Sequence, residues 1–193
     1  MSGVVVGIFV GGAGTRMGGV AKGTLITPAG DETLLERLTR VSREAIPNAT
    51  LFLVGNSTAY AVLGLEQIDD QPSEVGPIGG LRGLMLRARS MRVERVLALS
   101  CDLPFIDVEV LKALDLPLSR AARVPFVGGR FQPLAATYAP VPTLAAIERV
   151  LADGKHALMR VLDELGANLE RLEGDAAFAR ALRDWDTPSD VTR

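Results

Sequence analysis

The sequence is short of the residues that define several common classes of protein. Its 193 residues include a single cysteine, Cys101, so no disulfide can form within the chain. They also include a single histidine, His156, so a zinc site would have to take its remaining ligands from carboxylates. These scarcities argue against a disulfide-stapled secreted protein, and we expect a protein of the reducing cytoplasm.

An excess of positive charge and long apolar runs are also missing. Lys and Arg total 21 against 23 Asp and Glu, a net charge of -2 at pH 7, so a broad electrostatic surface for nucleic acid is not expected. No apolar run approaches the roughly 20 residues of a membrane-spanning helix, so no membrane association is expected. The composition favours a small anionic ligand held by a local cationic cluster. Without repeats or low-complexity linkers, residues 1–193 are expected to form a single domain.

What the sequence does contain is a glycine-rich stretch from Gly3 to Gly23. It opens with an apolar, β-branched run, Val4 to Val10, which lacks polar alternation and is typical of a parallel strand covered on both faces. Glycines follow, and the stretch then supplies Arg16 and Lys22 without one acidic residue. Because glycines let backbone amides approach a ligand, this pattern predicts a phosphate-binding loop after a central strand.

The rest of the chain alternates strands and helices. Asp31 is expected to cap a helix that begins near Leu34. Gly128-Gly129 precedes an apolar run over 131–138 and predicts a hairpin that adds an antiparallel pair. Further strands are predicted over 50–54 and 95–101, and further helices over 57–63, from 78, and over 107–114, 140–151, 156–165 and 176–183. This order predicts a three-layer α/β/α fold with a mostly parallel sheet and a small antiparallel insertion.

One carboxylate stands out by its position. The apolar run over 95–101 ends directly on Asp102, which is followed by Leu-Pro-Phe. In open α/β sheets, ligands bind outside the carboxyl ends of the parallel strands. We therefore expect Asp102 to lie on the same rim of the sheet as the glycine-rich loop.

The loop departs from two widespread phosphate-binding motifs. A dinucleotide-binding fingerprint would need glycine where the chain has Met17, together with an acidic residue at the end of a second strand about 20 residues further on. A P-loop would need Gly-Lys-Ser or Gly-Lys-Thr, whereas Lys22 lies between Ala21 and Gly23. Neither motif explains the loop.

The segment Gly-Gly-x-Gly-Thr-Arg-Met-Gly-Gly-x-x-Lys-Gly, residues 11–23, resembles the signature loop of the nucleotidyltransferases. It is most similar to that of the molybdenum cofactor guanylyltransferases of the MobA type. The resemblance continues in chain order through Asn56, Asp70 before Gly76-Pro77-Ile78-Gly79-Gly80, Cys101-Asp102-Leu103-Pro104-Phe105, Gln132-Pro133-Leu134 and Asp186-Thr187-Pro188. It implies a Rossmann-like nucleotidyltransferase fold.

The resemblance also implies a reaction and its residues. Members transfer GMP from GTP to molybdopterin or its molybdenum form with Mg²⁺, and their products reach proteins that mature molybdoenzymes. Arg16 and Lys22 would hold the β- and γ-phosphates, and Asp102 would ligate Mg²⁺. Asp184 and Asp186 would lie on the acceptor side. The residues implied in nucleotide binding are Phe9, Val10, Gly11, Gly12, Gly14, Lys22, Asn56, Asp70 and Asp102.

The first two glycines of residues 11–23 indicate which nucleotide the resemblance implies. Gly11-Gly12 matches the guanylyltransferases, whereas the cytidylyltransferases that act on the same pterin carry Ala-Gly there. The chain departs from the family pattern at Phe9-Val10, where Leu-Ala is usual, and at Ala21, where Asp is usual. The alternatives are cytidylyl transfer, nucleotidyl transfer to another phosphorylated acceptor, or a homologue that binds nucleotide or pterin without catalysis.

Overall fold

The computed structural model describes residues 3–11, 21–185 and 190. Their strands are β1 Val4–Phe9, β2 Thr50–Val54, β3 Glu66–Ile68, β4 Arg95–Ser100, β5 Ala122–Val127, β6 Arg130–Phe131, β7 Ala135–Tyr138 and β8 Leu169–Glu173. Their α-helices are α1 Leu34–Ala45, α2 Pro77–Ser90, α3 Val108–Leu114, α4 Pro140–Ala152, α5 Leu158–Leu165 and α6 Ala176–Ala181. Short 3-10 helices cover Lys22–Thr24, Thr58–Leu63 and Gly166–Asn168. No helix in this described part of the chain has the length and apolarity to cross a membrane.

The strands form a mixed sheet in the order β3-β2-β1-β4-β7-β5-β6, with β8 paired to β5. β1 lies between β2 and β4 and is parallel to both of them. β3 is parallel to β2, and β8 is parallel to β5. β7 is antiparallel to β4 and to β5, and β6 is antiparallel to β5. The predicted mostly parallel sheet, with β1 near its centre, is confirmed.

Helices cover the sheet on its two faces. Alternate residues of β1 point to opposite faces, as the pleat requires. Val5 and Phe9 belong to the core under α2, α4 and α5, whereas Val6 and Ile8 belong to the core under α1, α3 and α6. Burial on both faces explains why this strand lacks polar residues, and it confirms the three-layer α/β/α architecture.

The antiparallel part of the sheet reaches further than the predicted hairpin. Gly128 and Gly129 have φ angles of 57° and 78° and form the turn between β5 and β6. The run over 131–138 is not one strand, because the Gln132 N–H turns to donate to the Pro125 carbonyl and Pro133 has no N–H to offer a neighbour. After this interruption β7 enters the sheet between β4 and β5.

The start of α1 corrects one expectation. Thr33, and not Asp31, caps the helix: its hydroxyl accepts the Glu36 N–H, and the Glu36 carboxylate accepts the Thr33 N–H at 2.8 Å. This reciprocal capping box satisfies two amides of the first turn. The Asp31 carboxylate instead accepts the Thr27 hydroxyl at 3.4 Å, within the turn that precedes the helix.

Glycines on α2 allow the segment after β3 to cross close to the helix. A Cβ at Gly79 would overlap the Pro72 carbonyl oxygen, and a Cβ at Gly83 would lie 2.5 Å from the Asp69 carbonyl oxygen. The Gln71 N–H also donates to the Gly79 carbonyl at 3.0 Å. The bare backbone of α2 therefore sets the path of residues 69–72, which leads into the candidate site.

We expect the substitution Gly83→Ala to destabilise the protein, by about 1–3 kcal/mol, because the new methyl group meets a backbone carbonyl that cannot rotate away. An alanine in an open helical position would do the opposite, since alanine favours helix over glycine by about 1 kcal/mol. Urea denaturation of the two proteins measures the difference. Arg89→Ala, at an exposed position of the same helix, is the control and should leave stability nearly unchanged. A more stable Gly83→Ala protein would contradict the close crossing.

Candidate active site

The parallel pairing of β1 and β4 brings together two segments that are far apart in the sequence. Phe9, the last residue of β1, is in register with Ser100, the last residue of β4. The ladder continues one residue further, because the Cys101 N–H donates to the Phe9 carbonyl at 3.1 Å. The start of the glycine-rich loop and Asp102 therefore emerge side by side at the same rim of the sheet.

A cavity of about 220 Å³ opens at this rim. Of the residues predicted to bind nucleotide, it is lined by Phe9, Val10, Gly11, Lys22, Asp70 and Asp102. Its other described lining residues are Val54, Gly76, Pro77, Ser100, Cys101 and Leu134. The fold thus gathers residues of four separate sequence motifs around one space large enough for part of a small ligand.

The charged centre of the cavity is the pair Lys22 and Asp102. The Lys22 ammonium lies 2.9 Å from Oδ2 of Asp102, and both side chains are mostly buried. The Ser100 hydroxyl donates to Oδ1 of the same carboxylate at 2.5 Å. Asp102 is therefore held on both oxygens. The sequence motifs did not point to Ser100; the signal that could have found it is its place at the end of the strand, two residues before the carboxylate.

Asp70 approaches the cavity from the segment that crosses α2. A Cβ at Gly80 would lie 2.9 Å from Oδ1 of Asp70 and 3.0 Å from Cε1 of Phe9, so the helix leaves room for both side chains at the cavity wall. Burial, and then the neighbouring charge of Asp69, raise the pKa of the Asp70 carboxyl above its usual range. Asp70 is thus a carboxylate whose charge is under-compensated by the protein around it.

Asn56 takes a different position from the other predicted residues. Its amide donates to the Asp69 carboxylate at 3.2 Å, at an exposed site, and the described lining of the cavity does not include it. Asn56 therefore contacts the neighbour of Asp70 and not the cavity wall itself.

The C-terminal segment reaches the same rim. Trp185 is 2% exposed, and its backbone N–H donates to the Asp102 carbonyl at 2.9 Å. Its ring packs edge-on against Phe105 with the centroids 6.4 Å apart. Asp184 immediately precedes this anchor and is exposed. This anchor therefore brings the backbone next to Asp184 close to the segment after β4 that carries Asp102. The predicted residues Gly12, Gly14, Arg16 and Asp186 lie outside the described residues.

Residues 6–174 match the family model of the MobA-like NTP transferase domain. The chain belongs to this family. The match spans the cavity, its charged pair and most of the sheet, and the chain is accordingly a nucleotidyltransferase.

Curated relatives of this nucleotidyltransferase support the same family. A molybdenum cofactor guanylyltransferase of Pseudomonas syringae pv. syringae is 31% identical over 177 residues, covering 89% of this chain and 85% of the relative. One of Pseudomonas entomophila is 34% identical over 163 residues, covering 83% and 81%.

Solved structures share the fold of this nucleotidyltransferase at lower identity. Molybdopterin-guanine dinucleotide biosynthesis protein A of Archaeoglobus fulgidus has a TM-score of 0.73 and 21% identity, with 98% of this chain and 95% of that one covered. The protein Rv0371c of Mycobacterium tuberculosis has a TM-score of 0.75 and 18% identity, with coverages of 100% and 97%. The 4-diphosphocytidyl-2C-methyl-D-erythritol synthase of Anaerococcus prevotii has a TM-score of 0.71 and 13% identity, with coverages of 99% and 93%.

The oxygen donors of this nucleotidyltransferase suit Mg²⁺ held jointly with a phosphorylated substrate. Within residues 3–11, 21–185 and 190, no cluster of three or more His, Cys, Asp and Glu could form a complete protein cage. The cavity instead offers the Asp70 and Asp102 carboxylates. Mg²⁺ in nucleotide sites usually takes one or two carboxylates and fills its other positions with phosphate oxygens and water.

Cys101 forms part of the cavity wall beside Asp102. Its side chain is buried, as expected for a small core residue, and burial raises the pKa of the thiol to about 12. The thiolate that would be needed for a nucleophile is therefore scarce at neutral pH.

Proposed function

We propose that this nucleotidyltransferase transfers GMP from GTP to molybdopterin or its molybdenum form, producing the guanine dinucleotide cofactor and pyrophosphate. The observation that carries the proposal is the Lys22–Asp102 pair in a cavity at the sheet rim. The names of the curated relatives support the guanine and pterin substrates. The dipeptide Gly11-Gly12 in the loop sequence supports the guanine nucleotide as well.

The reaction joins two anions, so the protein must align them and neutralise charge. A phosphate oxygen of the acceptor forms a bond to the α-phosphorus of GTP, and the bond from that phosphorus to the bridging oxygen breaks as pyrophosphate leaves. The acceptor phosphate is already a nucleophile, so no side-chain nucleophile is needed. Lys22 would bind the β- and γ-phosphates and draw negative charge toward the leaving group, with Arg16 in the same role by family resemblance.

Asp102 would hold Mg²⁺, with Asp70 on the same cavity wall. When bound, the ion neutralises charge on the phosphate oxygens. The protein prepares Asp102 for this role through its two contacts, since the Ser100 hydroxyl and the Lys22 ammonium fix the orientation of the carboxylate. A phosphate that enters the cavity competes with Asp102 for Lys22, and the freed carboxylate oxygen then becomes available to a cation.

Cytidylyl transfer is the second candidate. Val10 lines the cavity in place of the alanine usual in the family, and it adds bulk to the wall close to the nucleotide. Less space in the site would favour a pyrimidine over the larger purine. The fold is also shared with a diphosphocytidyl-forming enzyme, so the architecture is compatible with either base.

We expect GTP to be preferred over CTP by at least about tenfold in kcat/KM, a difference of about 1.4 kcal/mol in transition-state binding. The experiment supplies purified protein with Mg²⁺, molybdopterin and one nucleoside triphosphate at a time. It measures pyrophosphate release and the mass of the dinucleotide product. Removal of Mg²⁺ with EDTA is the control and should abolish turnover.

Two outcomes would overturn parts of this proposal. A clear preference for CTP would replace guanylyl by cytidylyl transfer. Tight nucleotide or pterin binding without pyrophosphate release, with every triphosphate tried, would identify a binding protein in place of an enzyme.

A further inference from the structure

The 3-10 turn Lys22–Thr24 has a buried side behind the catalytic cavity. Lys22 lines the cavity, whereas Gly23 is buried and, with Thr24, borders a second cavity of about 60 Å³. The two cavities share none of their described lining residues. The turn therefore separates the charged pair from a smaller, mainly apolar space whose residues the proposed reaction does not use.

Tyr60 contacts the turn on this buried side. It comes from the 3-10 helix Thr58–Leu63 and is 3% exposed. Its hydroxyl accepts the Gly23 N–H at 3.2 Å. Its ring also covers the Cα of Gly23, because a Cβ there would lie 2.9 Å from Cε1 of Tyr60 and 3.2 Å from Cβ of Leu35. A hydrogen bond and a ring contact thus hold the residue next to Lys22.

The same cluster touches the segment that carries Asp102. Cys101, the residue before Asp102, belongs to the same buried cluster as Tyr60, and burial raises the pKa of the Tyr60 hydroxyl. The Gly23 amide is close enough to Cys101 to act on its thiol. The phenolic oxygen of Tyr60 accepts the Gly23 N–H, and the raised pKa of the hydroxyl favours its neutral form. Tyr60, Gly23 and Cys101 therefore form a contiguous support behind the charged pair.

We propose that Tyr60 is a positioning residue for nucleotidyl transfer, which holds the Lys22–Thr24 turn where the Lys22 ammonium lies 2.9 Å from Asp102. Tyr60 is not among the described lining residues of the catalytic cavity, so it acts through Lys22 and not on the substrate. The inference rests on the proposed function only for the role of Lys22. Without the hydroxyl, the buried Gly23 N–H loses its oxygen acceptor and keeps only the weaker contact with the Cys101 sulfur, so the turn is held less firmly. A displacement of about 1 Å in a catalytic group can lower the rate by up to about 10²-fold.

The test uses Tyr60→Phe, which keeps the ring and removes only the hydroxyl. We expect kcat to fall about tenfold, with KM for the nucleotide changed less than about threefold, because the lost alignment acts mainly in the transition state. In a Lys22→Ala background, Tyr60→Phe should change kcat by less than about twofold, since the residue through which it acts is gone. Hydrogen exchange at the amides of residues 22–25 should become faster in Tyr60→Phe, with the core strands unchanged.

Thr137→Val is the matched control. Thr137 is fully buried on β7, and its hydroxyl donates to the Leu114 carbonyl at 2.7 Å, so the variant removes a buried hydroxyl outside the described lining of both cavities. It should leave kcat unchanged. Gly23→Ala is a second variant that disturbs the same contact from the other side, and it should reproduce the loss of kcat.

Several results would overturn the role of Tyr60. An unchanged kcat in Tyr60→Phe would do so, as would an unchanged rate of hydrogen exchange at the Gly23 amide. An equal fall in kcat on Tyr60→Phe in the wild-type and Lys22→Ala backgrounds would also do so. The proposed function fails separately, if the wild-type protein turns over CTP in place of GTP or turns over neither. If the protein turns over CTP, the effect of Tyr60→Phe on kcat is measured with CTP in the wild-type and Lys22→Ala backgrounds. If it turns over neither nucleotide, hydrogen exchange measures the support directly: Tyr60→Phe should speed exchange at residues 22–25 but not in the core strands, and unchanged exchange would overturn the role of Tyr60.

Discussion

Replacing Asp102 with asparagine is expected to lower kcat by about 10²-fold or more and to leave the protein folded. Removal of a preorganised electrostatic group from a catalytic site commonly has an effect of this size. In the wild-type protein the Ser100 hydroxyl donates to the Asp102 carboxylate at 2.5 Å. Asparagine keeps the shape of the side chain, and its amide oxygen can still accept this hydrogen bond. It cannot supply the negative charge that would hold Mg²⁺. The mostly buried ion pair with Lys22 is lost as well, at a cost of about 1–3 kcal/mol in stability.

Steady-state kinetics over a range of Mg²⁺ concentrations measures this effect. The half-saturating Mg²⁺ concentration should rise, whereas GTP binding measured by calorimetry in EDTA should be unchanged or tighter, because a negative charge has left the cavity. Asp115→Asn is the matched control: Asp115 pairs with Arg95 at 3.2 Å, at the opposite end of β4, and is buried to a similar extent. It should leave kcat unchanged. An Asp102→Asn protein with the wild-type rate would refute the site.

Replacing Lys22 with alanine is expected to lower kcat by about 10²-fold or more and also to raise KM for the nucleotide. The ammonium group would contact the phosphates in the ground state and would stabilise the developing charge of pyrophosphate in the transition state. It also lies 2.9 Å from Oδ2 of Asp102, so its loss leaves that carboxylate without this cation. Metal-free GTP binding separates the roles of the two residues, since Lys22→Ala should weaken it and Asp102→Asn should not.

Circular dichroism and urea denaturation should show that Lys22→Ala remains folded. Arg95→Ala is the control, because Arg95 is a similarly buried cation paired with an aspartate at the other end of β4. Wild-type kcat and KM in Lys22→Ala would show that the cavity at the sheet rim is not where the triphosphate binds.

Much of the architecture was predictable from local patterns. The uninterrupted apolar run of β1 indicated burial on both faces, and its partners on either side are both parallel to it. The carboxylate after β4 indicated the functional rim, because parallel neighbours end at the same edge of a sheet. Of the predicted site residues, Lys22 and Asp102 are in direct contact although 80 positions separate them. Their roles in binding and catalysis stay predictions.

Two other features of the sheet could not be predicted from local sequence patterns. β8 was not predicted, because Leu169–Glu173 reads Leu-Glu-Arg-Leu-Glu, with charges suited to solvent, and becomes a strand only through parallel pairing with β5. The continuation of the hairpin into β7 was not predicted either, because two glycines define a turn but not which strand the returning chain joins.

The sequence by itself determined the alternation of buried strands and amphipathic helices, the turn at Gly128-Gly129 and the family of the glycine-rich loop. These depend on residue type and short spacing, which act over a few residues. Only the tertiary structure decided that Ser100 donates to Asp102, that the glycines of α2 admit residues 69–72, and that Tyr60 supports the turn of Lys22. Such contacts join distant segments, and their partners are set by sheet order and close packing, which no local pattern contains.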